Sequence, residues 1–263
     1  MADEERRKIR EEADGAEDAG AAEGAADDRA ADVALEAGAA RARPVTAPYY
    51  LAALDLWGRR CLVAGGGAVA RRKAEGLLAA GADVLVVAPE VDEMPEGAVV
   101  ERRAARLADL DGAVLAVCAT DDPEVNAELA REARRRGILV NLVDDPDAGD
   151  FTVPAVVRRG PLQIGVSTAG GSPLLAQRIR DVFASNVGDE YGELAAMLGE
   201  LRAEWEPRAI AAGVPPATRR AAWHDVLDLP LLALLRSGNP RRARKQAQDV
   251  LLDSLEDVLL DHD

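Results

Sequence analysis

The chain has 263 residues, 48% of them hydrophobic, enough for one large domain or two smaller ones with a real core. Its formal charge of −15 argues against nucleic acid or an anionic membrane as a partner, because a like-signed surface repels both unless a local basic patch intervenes. There is no run of about 18 apolar residues and the first residues are acidic, so a cytoplasmic protein with neither membrane span nor secretion signal is expected.

Lysine is nearly absent (Lys8, Lys73, Lys245) while Asp and Glu abound, a balance suited to solubility at high salt. Cys61 and Cys118 each sit in an apolar run that reads as a strand. Buried free thiols are therefore expected rather than a disulfide. His224 and His262 are isolated and no Cys pair has ligand spacing, so no resident metal site is expected.

In chain order, residues 1–40 carry 13 acidic and 5 basic side chains and no aromatic residue. Such a segment buries too little apolar surface to offset its ordering entropy, so residues 1–46 are expected to be a disordered acidic leader. Structure is expected from near Tyr49: a strand over 61–64, a helix from Val69 to Ala80 stopped by Gly81, and a strand DVLVVA ended by Pro89. A short strand near 99–102, a polar helix around Leu107, a strand over 113–120, a helix over 123–136 and a strand over 138–143 follow. Strands apolar throughout that alternate with helices predict a parallel sheet covered on both faces.

The pattern changes after Asp150, where FTVPAVVRRGPLQIGVST reads as two strands around an Arg-Gly-Pro turn, an antiparallel hairpin outside the parallel sheet. From Pro173 onward, four amphipathic runs predict helices, the last three of them a C-terminal helical domain over 187–263.

The first strand runs into Gly65-Gly66-Gly67-Ala68-Val69-Ala70, which fits GxGxxA. Gly65 would turn the chain, Gly67 would let a pyrophosphate approach the backbone, and Ala70 would keep helix and strand close. Ala68 and Val69 would open the helix and offer free N–H groups to the phosphates. A tight turn that only packs a helix on a strand has the same composition, but the strand-helix-strand setting favours a bound dinucleotide in the parallel-sheet domain over 47–150. No acidic residue stands cleanly at the end of the second strand, so Pro89 and Glu90 are the candidates beside the adenosine ribose.

The blocks VAGGGAVARRKAEGLLAAGADVLVVAP, CATDDPEVN and VNLVDDPDAGDFTVPAVVRRGPLQIGVSTAGGSPLLAQRIR stand in the order shown by precorrin-2 dehydrogenase, the NAD-dependent module of siroheme synthase, which residues 48–186 resemble. The resemblance implies an α/β fold: a Rossmann-type parallel sheet domain, a strand-hairpin dimerisation segment over 151–186 and the C-terminal helical domain. It implies a homodimer that oxidises precorrin-2 to sirohydrochlorin with NAD, and a stand-alone enzyme, since no room remains for a methyltransferase domain. Some members of that family also insert ferrous iron into sirohydrochlorin, so iron as a second substrate stays open, as does a non-enzymatic NAD-sensing module.

The reaction needs a proton acceptor beside the nicotinamide. Asp144 and Asp145 both follow the last parallel strand, at the edge where open α/β sheets bind ligands. The resemblance implies Asp144 as the general base. It also implies that Thr120 and Asp121, after the fourth strand, border the nicotinamide half, while Asp122 with Pro123 reads as a helix cap. The polycarboxylate substrate calls for local cations, with Arg71, Arg72, Lys73, Arg158, Arg159, Arg178 and Arg180 as candidates. Ser167 and Thr168, with Gly170, Gly171 and Ser172 in STAGGSP, read as a second anion-binding turn or simply as a Ser172 cap with Pro173 behind it.

Overall fold

The computed structural model describes residues 47–145 and 148–260, the side chains of 256–260 excepted. The expected acidic leader lies outside the described residues. Five strands, β1 (Arg60–Ala64), β2 (Asp83–Ala88), β3 (Val99–Arg102), β4 (Leu115–Cys118) and β5 (Leu139–Leu142), form one parallel sheet in the order β3-β2-β1-β4-β5. Helix α1 (Ala68–Leu78) joins β1 to β2, and α2 (Pro123–Arg135) joins β4 to β5. The order in which strands are added across the sheet reverses between β1 and β4, a switch point that opens a crevice at the C-terminal edge there.

Alternation along each strand feeds two cores. Leu62, Ala64, Val87, Ala116, Cys118 and Val140 pack against Leu129, Ala130 and Ala133 of α2. Cys61, Val63, Val84, Val86, Leu115 and Val117 pack against Ala70 and Ala74 of α1. Strands apolar at every position are what a sheet with helices on both faces demands. Both cysteines are free and buried. Burial pushes the Cys118 thiol up to about 12, and burial together with the Asp83 charge pushes Cys61 to about 11, so neither is a reactive thiolate.

The polar helix expected around Leu107 is only a 3₁₀ turn, Leu107–Leu110, ended by Asp111 in an extended conformation and by Gly112 at φ 73°. Within it, buried Asp109 accepts from both terminal nitrogens of Arg103, at 2.8 and 2.5 Å, and from the Arg106 amide at 2.8 Å. The Arg103 guanidinium, helped by the Arg106 amide and opposed by burial, holds the Asp109 carboxyl below its ordinary 3.8. A depressed carboxyl contributes stability that is present above its ordinary value and fades as pH falls through the lower, folded one. Asp109→Asn is therefore expected to lower the melting temperature at pH 7 by on the order of 5 °C. The gap between variant and wild type should narrow below about pH 4, and scanning calorimetry across pH checks both.

Strands β6 (Ala155–Arg159) and β7 (Leu162–Val166) pair with each other antiparallel, closed by Gly160 and Pro161. Helix α3 (Pro173–Asn186) packs on both strands. The Arg159 guanidinium donates to the carbonyls of Ala184 and Val187 at 3.0 and 2.9 Å, tying the end of α3 to the hairpin.

Beyond it, α4 (Asp189–Ala211), α5 (Pro216–Asp228), α6 (Leu231–Arg236) and α7 (Pro240–Leu260) share a core of Met197, Leu201, Trp205, Val226, Leu231 and Leu251. Trp205 Nε1 donates to the Leu251 carbonyl at 2.7 Å, and its ring meets Trp223 edge-on. The third of the four runs expected as helices, TRRAAWHDVLDLPLLALL (218–235), is two helices, α5 and α6, because Pro230 lacks an N–H and crowds the preceding turn.

Candidate active site

The ends of β1, β2, β4 and β5 are level. Ala64 stands opposite Val87 and Cys118, and Cys118 opposite Leu142, so the four following loops start from one edge. Those loops carry Gly65 to Gly67, Pro89 and Glu90, Thr120 and Asp121, and Asp144.

The three glycines answer to different constraints. Gly65 adopts φ 133°, and a Cβ there would overlap the Ala119 carbonyl, so this position is where the β4 loop crowds the turn. A Cβ at Gly66 would overlap the Glu90 carbonyl, and the Asp92 amide donates to the Gly66 carbonyl at 2.9 Å. Gly66 thus holds the loop after β2 against the glycine turn, a role the motif spacing does not reveal because the partner is a carbonyl far along the chain. Gly67 differs again: its φ is −88°, and a Cβ there meets nothing within 4 Å.

Gly67 is the N-cap of α1 and supplies no side-chain hydrogen bond, and the first turn holds no acidic residue. The first amides of α1 therefore remain for an anion, in open space, with Ala68 exposed and Ala70 buried against the sheet. The neighbouring helix is the opposite case. Asp122 caps α2 by accepting from the Glu124 and Val125 amides at 2.9 and 3.3 Å, so that end is closed to anions. A pyrophosphate fits α1 and not α2. Pro89 and Glu90 are exposed just beyond the end of β2.

Asp144 is exposed and makes no hydrogen bond or ion pair with a described residue. Asp145 differs from it: its carboxylate accepts the Ala148 amide at 3.2 Å and braces the turn. Asp144 lies at a cleft of about 330 Å³ walled by Pro123, Asn126, Ala127 and Leu142. Asn126 carries no obvious signal in the sequence beyond following a helix cap, yet it is buried and joined to Thr120 through both ends of its amide.

The second anion-binding turn expected over 167–172 is stitched to itself. Thr168 Oγ1 bridges the amide and carbonyl of Ser172, each at 3.0 Å, Ser167 Oγ accepts the Ala169 amide, and Ser172 Oγ accepts the Leu175 amide as the cap of α3. Among the cationic candidates, Arg159 is committed to the carbonyls of α3, Arg71 to Glu75 and Glu93, and Arg180 to Asp181. Arg178 is exposed and has no ion pair with a described residue.

Three family models match in chain order: one described as putative NAD(P)-binding over residues 52–155, the sirohaem biosynthesis protein central region over 159–186, and the sirohaem synthase dimerisation region over 190–251. The siroheme synthase of Chromobacterium violaceum is 42% identical over 202 residues, 74% of this chain and 42% of that protein. That of Methylobacillus flagellatus is 40% identical over 212 residues, 78% of this chain and 44% of that protein. The chain thus spans less than half the length of these curated relatives. Among solved structures, SirC, a precorrin-2 dehydrogenase, is 29% identical with a TM-score of 0.57, over 76% of this chain and 100% of its own. With the NAD(P)-binding, central and dimerisation regions all present in that order on a matching fold, the chain belongs to the siroheme synthase and precorrin-2 dehydrogenase family.

Proposed function

We propose that this chain catalyses the NAD-dependent dehydrogenation of precorrin-2 to sirohydrochlorin, removing one hydride and one proton from the macrocycle. NAD, when bound, supplies the hydride acceptor. The amides of α1 at Gly67, Ala68 and Val69 hold the pyrophosphate, with Gly65 turning the chain beneath it. Pro89 and Glu90 border the adenosine ribose, and the loop at Thr120 and Asp121 borders the nicotinamide half. Asp144 takes the proton as general base. Arg178, with Ser167 and Thr168, meets carboxylates of the substrate. The observation that carries this reading is a helix N-terminus without a side-chain cap and an exposed carboxylate that engages no described residue, on one level sheet edge. Purified protein supplied with precorrin-2 and NAD should yield sirohydrochlorin and NADH in equal amounts, followed by absorbance. Absence of both products from protein shown to bind NAD would overturn it.

Ferrous iron enters the proposal as a second substrate: the same Asp144 carboxylate would take pyrrole N–H protons as the metal enters sirohydrochlorin. Iron insertion into supplied sirohydrochlorin that survives Asp144→Asn would count against this extension.

The proposed assembly is a homodimer. Its support is the dimerisation-region match and an apolar stripe on α3, where Leu174, Leu175, Val182 and Phe183 are 75%, 50%, 59% and 42% exposed. Strands β6 and β7 each keep one edge that no described strand pairs, which leaves the hairpin able to add strands from a second copy. Light scattering should return twice the chain mass, and Val182→Glu combined with Phe183→Glu should return the monomer mass. A monomeric wild type would refute the dimer.

A further inference from the structure

The amide of Asn126 treats Thr120 as a neighbouring strand would. Its Oδ1 accepts the Thr120 amide at 3.1 Å and the Thr120 hydroxyl at 2.8 Å, while its Nδ2 donates to the Thr120 carbonyl at 2.9 Å. Regular pairing of β4 has ended by then: Cys118 is its last paired residue, and the Ala119 amide makes the final ladder bond, to the Ala64 carbonyl at 2.7 Å. From that point the loop at the sheet edge is held, among the described residues, by Asn126, by the contacts of Thr120 Oγ1 with Asp122 and by the Asp122 cap of α2. Asn126 is buried, 4% exposed, so these bonds are shielded from water and costly to leave unmade.

The placement of this clamp is what gives it consequence. One residue before Thr120, the Ala119 carbonyl sits against Gly65 of the glycine turn. One residue after it, Asp121 is exposed at the sheet edge. Asn126 itself walls the cleft that holds Asp144. The Thr120 hydroxyl, amide and carbonyl are all occupied within the fold, so the loop meets a ligand through Asp121.

We propose that Asn126 is a positioning residue for the nicotinamide half of the dinucleotide: its amide extends β4 by one residue and so sets the loop against which that half binds. The inference rests on the dinucleotide reading above. It differs from a purely structural role in one respect, namely that Asn126 acts on the nicotinamide half alone, since the adenosine diphosphate half is held by α1 and the loop after β2.

The test compares two probes, ADP and NAD, by calorimetry on the full chain. Asn126→Asp keeps the acceptor but loses the donor and sets a carboxylate against the Thr120 carbonyl. Asn126→Ser removes the span of the amide while adding no charge or bulk, so it gives a folded variant if the aspartate does not. Either should weaken NAD by about tenfold or more while ADP affinity stays within about twofold. Equal losses for ADP and NAD would make Asn126 a general structural residue and overturn the inference, as would unchanged NAD affinity. Wild-type protein that binds neither probe would instead overturn the dinucleotide reading itself.

Discussion

Replacing Asp144 by Asn is expected to lower kcat for precorrin-2 dehydrogenation by about 10² to 10⁴ while leaving NAD affinity unchanged. Asparagine keeps the size of the side chain and its acceptor oxygen but takes no proton, so the loss falls on the proton-transfer step. The fold should not respond, because Asp144 is exposed and engages no described residue. Its neighbour is the control. Asp145 accepts the Ala148 amide, a bond that asparagine also makes, so Asp145→Asn should turn over near the wild-type rate. Turnover, NAD affinity and melting temperature of the two variants together decide the matter. Near-normal turnover in Asp144→Asn removes that carboxylate from the mechanism, and a loss confined to Asp145→Asn moves the base by one residue.

Gly67→Asp is expected to abolish NAD binding in a protein that folds as well as the wild type. A Cβ at Gly67 meets nothing within 4 Å and φ is −88°, which any residue adopts, so neither clash nor strain opposes the substitution. Aspartate is moreover a favoured N-cap, with an advantage over glycine of about a few tenths of a kcal/mol. The carboxylate that satisfies the first amides of α1 then occupies the pyrophosphate position with the wrong charge. Calorimetry should find no NAD binding while the melting temperature is unchanged or slightly raised. Retained affinity would mean that the glycine turn is structural only. The same change at Gly65 or Gly66 would not make this distinction, since a side chain there overlaps the Ala119 or Glu90 carbonyl and disturbs the fold itself.

The parallel sheet was legible because strands buried on both faces are apolar at every position, and that signal is local to each strand. The same holds for the α2 cap, where Asp122 accepts from amides two and three residues ahead and Pro123 stands at the first helical position. The helix expected around Leu107 failed for the opposite reason: Asp109 turns inward to Arg103, six residues back, and no periodicity records that. Among the arginines, charge alone did not separate Arg159, committed to the carbonyls of α3, from Arg178, which stays exposed.

By itself, then, the sequence determined the order of strands and helices, the glycine turn at the end of β1, and the carboxylates that follow β5. Each of these depends on side-chain pattern and backbone freedom within a few residues. Only the tertiary structure decided which glycine is open to a ligand, which of two adjacent aspartates is committed to its own turn, and that Asn126 holds the loop after β4. Those outcomes depend on carbonyls and amides delivered by other loops. Hydrogen bonds and steric overlap act over a few ångströms of space whatever the separation along the chain, so they appear only once the level strand ends have brought those loops together.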